Sequence, residues 1–201
     1  SVKAPWVVPC DFKSRDEKER TDVIGIIDGK IITKHLSETI PITDGDKLPD
    51  IDRDLIRISV IERHGVNGNI ANGFVNGFGL KSGAIASTVA HDHHNIIAVG
   101  TSYEDIACAV NRLGEIEGGF VIADRQQVVK ELPLPLAGLM SLCSFETVEK
   151  DLNLLRKEAF NLGVVLAEPF LQLSFLALPV IPFLKITDRG LIDINKFKII
   201  S

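Results

Sequence analysis

Residues 91–95 read His-Asp-His-His-Asn, which gathers three of the chain's five histidines beside an aspartate and an asparagine. Imidazole and carboxylate are ligands of transition metals, and imidazole is the side chain best matched to proton transfer near neutral pH. An extended segment would set His91 and His93 on one face with His94 on the other, whereas a tight turn would bring His91 and His94 together. Spacing alone leaves both arrangements open. It also leaves open a structural role, in which the cluster is a hydrogen-bonded polar turn holding two strands. His64, which follows Arg63 at a predicted strand end, is a second candidate. The run Gly77-Phe-Gly-Leu-Lys-Ser-Gly83 matches neither GxGxxG nor GxxxxGK[ST] and precedes a strand rather than a helix, so it is not expected to cradle phosphate.

The elements that must hold these groups are legible in the apolar pattern. Leu55 to Arg63 mixes apolar residues with Arg57, Ser59 and Glu62 at near-alternating positions, which predicts a half-buried strand delivering Arg63 and His64. Gly65 to Gly83 contains six glycines and predicts a structured loop with short strands. Ala84–Ala90 and Ile96–Gly100 predict strands on either side of the histidine cluster, which then sits at a sheet edge or in a cleft. Upstream, the β-branched runs flanking Asp28-Gly29 predict a hairpin with a type I′ turn. Downstream, Thr101 or Ser102 caps a helix carrying Ile106, Ala109, Val110, Leu113 and Ile116 on one face. A hairpin pairs Phe120–Ala123 with Val128–Leu132, and a second helix over 145–162 follows the cap Ser144. Leu132 to Met140 reads either as an extended binding loop or as prolines framing a core segment. Lys185 to Ile194 predicts a closing hairpin around Asp188-Arg189-Gly190. The predicted class is α+β, with mixed or antiparallel sheets and at least two amphipathic helices.

Composition narrows the function. With 22 Lys plus Arg against 27 Asp plus Glu, the formal charge is −5, which argues against nucleic acid and anionic membrane as partners. At 45% hydrophobic residues the chain is folded rather than disordered. Three widely separated cysteines, Cys10, Cys108 and Cys143, offer neither a disulfide framework nor a CxxC site, and a reducing, cytoplasmic setting fits them. The apolar stretch Phe170–Leu184 is too short to span a bilayer and is broken by Gln172, Pro179 and Pro182. Those prolines argue against an ordinary helix or central strand there, and the stretch is expected to form an apolar docking surface.

A series of blocks then resembles a known family. They are Glu62-Arg-His-Gly, Gly77-Phe-Gly-Leu-Lys-Ser-Gly-Ala-Ile-Ala-Ser, Val89-Ala-His-Asp-His-His-Asn-Ile-Ile, Ala109-Val-Asn-Arg, Gly118-Gly119, Glu131-Leu-Pro-Leu-Pro-Leu-Ala-Gly-Leu-Met-Ser and Leu173-Ser-Phe-Leu-Ala-Leu-Pro-Val-Ile-Pro. In order and spacing they resemble the C-terminal domain of bacterial adenine deaminase. The resemblance covers nearly the whole chain from about Val23, with residues 1–21 as a lead-in segment from an upstream domain and 22–201 as the domain itself. The family pattern has a small polar residue where this chain has His93, which leaves His91, Asp92, His94 and Asn95 as the family-like positions.

The resemblance implies hydrolysis of adenine to hypoxanthine and ammonia, a step of purine salvage, by a water activated on a divalent metal such as manganese, iron or zinc. It places that metal in an upstream amidohydrolase barrel, the implied partner; a homo-oligomer is expected from the apolar stretch Phe170–Leu184, through which the chain would associate with itself or with the barrel. His91, Asp92 and His94 become the candidate catalytic residues, with His91 and His94 as candidate metal ligands. The pair His91-x-His93 imitates the HxH of such barrels, but that site needs further histidines on later strands and none follows His94. Two classes of function therefore compete: a domain that completes or supports a deaminase barrel, and a stand-alone binding or oligomerisation module without deaminase activity.

Overall fold

The β-branched runs become strands. The computed structural model describes residues 2–14 and 18–200, so residues 15–17 of the charged lead-in run lie outside the described residues. In chain order the strands are β1 (Arg20–Gly25), β2 (Lys34–Thr39), β3 (Ile42–Thr43), β4 (Asp46–Lys47), β5 (Ile56–Ile61), β6 (Ile70–Asn76), β7 (Ala84–Ser87) and β8 (Ile96–Gly100). Helix α1 (Tyr103–Glu115) follows, then β9 (Gly119–Asp124), β10 (Gln127–Pro133), α2 (Phe145–Asn161), α3 (Pro169–Leu176), β11 (Leu184–Thr187), β12 (Gly190–Asp193) and β13 (Lys198–Ile199). Among the described residues, eight strands form one sheet in the order β10-β9-β7-β8-β5-β6-β1-β2, antiparallel throughout except for β1 beside β6. β11, β12 and β13 make a second, small sheet. The class is α+β, as predicted.

Both faces of the large sheet are covered. On one, Ala84, Ala86, Ala98 and Val121 pack against Ile106, Ala109, Val110 and Leu113 of α1, with Val7 and Phe12 of the lead-in segment laid alongside. On the other, Ile85, Ile97, Val99 and Ile122 meet Leu155 and Ala159 of α2, Phe170 and Leu173 of α3, and Ile186 and Leu191 of the β11–β12 hairpin. The two-residue alternation of side chains sorts these sets to opposite faces. Ser102 caps α1 by accepting the Asp105 N–H, and Ser144 caps α2 by accepting the Thr147 N–H.

Four expectations are corrected by this packing. β5 is buried on both faces rather than half-buried, because it lies at the centre of the sheet. Its Arg57 is accommodated by stacking 4.1 Å from the Phe74 ring and donating to Lys47 O (2.7 Å) and to the Tyr103 hydroxyl (2.9 Å). The glycine-rich stretch 65–83 contains β6, a seven-residue central strand, where Gly73 lets Leu191 approach: a Cβ there would lie 3.2 Å from its side chain. The hairpin at Asp28-Gly29 forms without the type I′ turn, because pairing stops at Gly25↔Lys34 and only Gly29 has positive φ. Thr33 diverts this connection to β11, its hydroxyl donating to Leu184 O and accepting the Phe183 and Leu184 N–H groups. A two-residue turn with positive φ at both positions forms instead at Arg125-Gln126, between β9 and β10.

The fourth correction concerns Phe170–Leu184. Its first part is helix α3, since Pro169 sits in the first turn, where a missing N–H is tolerated, and Pro179 and Pro182 lie beyond the helix end. Phe170, Leu173, Leu176 and Leu184 belong to the core, and Leu171, Val180 and Phe183 stay exposed. The stretch is therefore mainly core.

Lys185 of β11 is fully buried, and its ammonium joins Ile31 O (2.7 Å) to Phe175 O (2.9 Å) at the end of α3. Burial pulls its pKa down to about 8 from the ordinary 10.5. Between those values the unfolded chain binds more protons than the folded one, so stability should rise with pH across that window. Urea melts of the wild type and Lys185→Met at about pH 7.5 and about pH 10 test this. The stability of the wild type relative to the variant should be greater at the higher pH, and an unchanged difference would refute it.

Candidate functional site

β7 and β8 are adjacent, and their connection, residues 88–95, emerges at one end of the sheet. Antiparallel pairing brings two other connections to the same end: 62–69 after β5 and 134–144 after β10. The expected strand–polar turn–strand unit is present, at the ends of central strands rather than at a lateral edge. The turn closes tightly, with His94 N–H donating to Ala90 O (2.6 Å) and His94 at φ 48°. His91 and His94 therefore converge, their ring centroids 5.9 Å apart and their planes at 67°.

The remaining contacts define each residue's part. His91 N–H donates to Ser174 O in α3, and the His91 ring lies 4.9 Å from that of Phe175. One side of His91 lines a cavity of about 250 Å³ that Phe120, Phe170 and Ser174 also border. Asp92 occupies the exposed corner of the turn. Burial lowers the pKa of His94, reinforced by the neighbouring His91 and by the Arg63 guanidinium, while Asp92 opposes them. Its Nδ1 is buried without a hydrogen-bond partner. Burial also lowers the pKa of His93, whose Nδ1 accepts the Asn95 N–H (3.1 Å). His64 is drawn into support, its Nε2 on the His93 carbonyl at 2.8 Å.

Three supporting residues were not singled out for this role by spacing alone. Arg63, nearly fully buried, donates through Nε to His94 O and through Nη2 to Ala137 O (3.0 Å), so one guanidinium ties the histidine turn to the 134–144 connection. Gly138 leaves room for it, since a Cβ there would lie 3.0 Å from Arg63 Nη1. Glu62, 3% exposed, accepts backbone N–H groups from His64, Val66, Asn67 and Gly68. Burial would raise its pKa, but these four donors prevail and hold it below the ordinary carboxylate value. Thr88 donates its hydroxyl to Gly138 O and accepts the Gly119 N–H. The signal for Glu62 was its place just before Gly65, Asn67 and Gly68, a loop whose N–H groups have no strand to pair with.

The Gly77–Gly83 segment lies at the other end of the sheet, where Gly77 and Gly79 donate their N–H groups to the Asp54 carboxylate. An internal carboxylate thus takes the donors a phosphate would need. As for a metal, His91 and His94 offer two imidazoles, and among the described residues no group of three or more His, Cys, Asp or Glu side chains is placed to hold an ion. The donor set does not make a complete divalent-metal site. No helix among the described residues is long and apolar enough to cross a membrane.

An α+β domain with a buried-arginine-braced histidine turn at one sheet end is the architecture these residues define. The adenine deaminase C-terminal domain family matches residues 30–198, and the chain belongs to that family. Proteins named adenine deaminase are similar over all of it: that of Brucella abortus is 58% identical, that of Brucella anthropi 59% and that of Sinorhizobium fredii 58%. The chain spans only about a third of their length, 35 to 36%.

Proposed function

We propose that this chain is the C-terminal portion of an adenine deaminase, acting on adenine and water to give hypoxanthine and ammonia. The observation that carries this reading is the 58% identity along the full chain to proteins of that name. The remainder of the polypeptide, an amidohydrolase barrel, would hold the divalent metal (manganese, iron or zinc) that activates water, and this domain would complete or support its site. His91, Asp92 and His94 are the residues it would present. His94 is the proton-transfer candidate, its ring facing that of His91 and its Nδ1 left without a hydrogen-bond partner in the domain. The setting would be the cytoplasm, the pathway purine salvage and the assembled enzyme a homo-oligomer.

The test is an ammonia-release assay in two arms. The 201-residue chain alone, supplied with manganese, iron or zinc, should show no measurable turnover, because its donor set is incomplete. A chimaera in which this chain replaces the matched third of the Brucella abortus relative should be active. Turnover on the order of 1 s⁻¹ from the isolated chain, or a folded but inactive chimaera, would overturn the proposal.

A further inference from the structure

The connection between β10 and α2 carries an apolar surface that this domain leaves uncovered. Leu136, Met140, Leu142 and Phe145 are 43, 58, 73 and 75% exposed, although they lie within one short run of chain. Isolated apolar residues on a surface are ordinary, whereas four large ones exposed within ten residues of one connection, two of them joined by a backbone bridge, point to a contact site. This group is also presented by a built framework. Leu136 and Met140 form a bridge that closes the loop, Ala137 and Gly138 both take positive φ, and the buried Thr88 hydroxyl and the Arg63 guanidinium hold the carbonyls between them. Phe145 opens α2 directly after the Ser144 cap.

We infer that this surface, Leu136 to Phe145, is where the remaining two-thirds of the deaminase polypeptide docks. The inference rests on the proposed reading of the chain as part of an adenine deaminase, and it names the surface through which the parts meet. Two observations select this occupant. The relatives that match the whole chain are about three times its length, so a body larger than this domain remains to be accommodated. Arg63 grips Ala137 O and His94 O together, so whatever seats on the loop lies beside the histidine turn. A barrel docked there would bring its site next to His91 and His94, which is the placement the proposed function needs.

Cys143, exposed in the middle of this surface, is a built-in reporter. Its alkylation by iodoacetamide, followed by peptide mass spectrometry and normalised to the rate in denaturant, can be compared between the 201-residue chain and the Brucella abortus chimaera. The rate should fall at least about tenfold in the chimaera and be independent of concentration in the isolated chain. Equal rates in the two proteins would overturn the inference. Protection that grows with the concentration of the isolated chain would also overturn it, assigning the surface to a second copy. A chimaera that protects Cys143 but releases no ammonia would leave the docking surface standing and sink the deaminase reading. As a second measurement, Leu142→Asp with Phe145→Asp should leave the melting of the isolated chain nearly unchanged and restore fast alkylation in the chimaera. Continued protection in that variant would count against the surface.

Discussion

His94→Ala in the chimaeric enzyme should lower deamination about 100-fold or more, the usual scale for losing an acid–base group, while leaving the fold nearly as stable. The two halves of that expectation have separate causes. The His94 backbone does structural work, its N–H on Ala90 O and its carbonyl receiving Arg63, and alanine retains both groups. The ring loses no hydrogen bond through its buried Nδ1, so its share of the stability is limited to packing against His91. Alanine is nonetheless strained at φ 48°, where asparagine is better tolerated. His94→Asn therefore separates chemistry from backbone: it should be as inactive as alanine with less effect on melting. If turnover per folded molecule stays normal in both variants, the turn is structural and the proton-transfer role is wrong. His91→Ala gives the companion measurement, because its ring faces His94 but also packs on Phe175, so loss of activity there should come with some loss of stability.

How much of this was legible from the residues depends on the range of the interaction involved. Caps and apolar stripes act within one or two turns, so α1 and α2 could be placed from Ser102, Ser144 and the spacing of Ile106 to Leu113 and of Val148 to Ala159. The strand–turn–strand unit around His91–Asn95 was legible for the same reason. The Asp28-Gly29 turn failed because a distant partner competed: Thr33 is tied to Leu184, 151 residues away, and no local rule contains that bond. β5 was misjudged as half-buried because Arg57 reads as a solvent-facing residue until Phe74 and Tyr103 are seen to enclose it. At the site, the histidines announced themselves by residue type. Their convergence depended on the turn closing onto Ala90, and the brace that fixes them depended on Arg63 reaching Ala137, 74 residues downstream.

Glu62 offers the largest expected effect on stability. Its carboxylate satisfies four backbone N–H groups of residues 64 to 68, with Val66 and Gly68 each at 3.1 Å and Asn67 at 3.3 Å from Oε2. Glu62→Ala removes every acceptor at once, and each N–H that stays out of reach of water costs about 1–3 kcal/mol. With the loop free to open partly to solvent, a net loss of about 3 kcal/mol is expected, read as a lower midpoint in urea. Glu62→Gln should fall between, because its carbonyl can still take the three donors on one side while its amide faces the His64 N–H. The pH dependence has a definite sign. The folded-state pKa lies below the ordinary 4.5, so the carboxylate's contribution is complete above about that pH and disappears as pH falls through the folded value. The gap between wild type and Glu62→Ala should therefore be constant near neutrality and narrow only in acid. A gap that stayed unchanged down to about pH 3 would mean that the charge on Glu62 adds nothing. The same variant should also disturb the histidine turn from a distance. The 62–69 connection carries His64, whose Nε2 holds the His93 carbonyl, so releasing the four N–H groups loosens one of the turn's braces and leaves the Arg63 guanidinium on His94 O and the His91 N–H on Ser174 O in place. In the chimaeric enzyme Glu62→Ala should then lower kcat well short of the His94 effect, and Glu62→Gln should recover part of it.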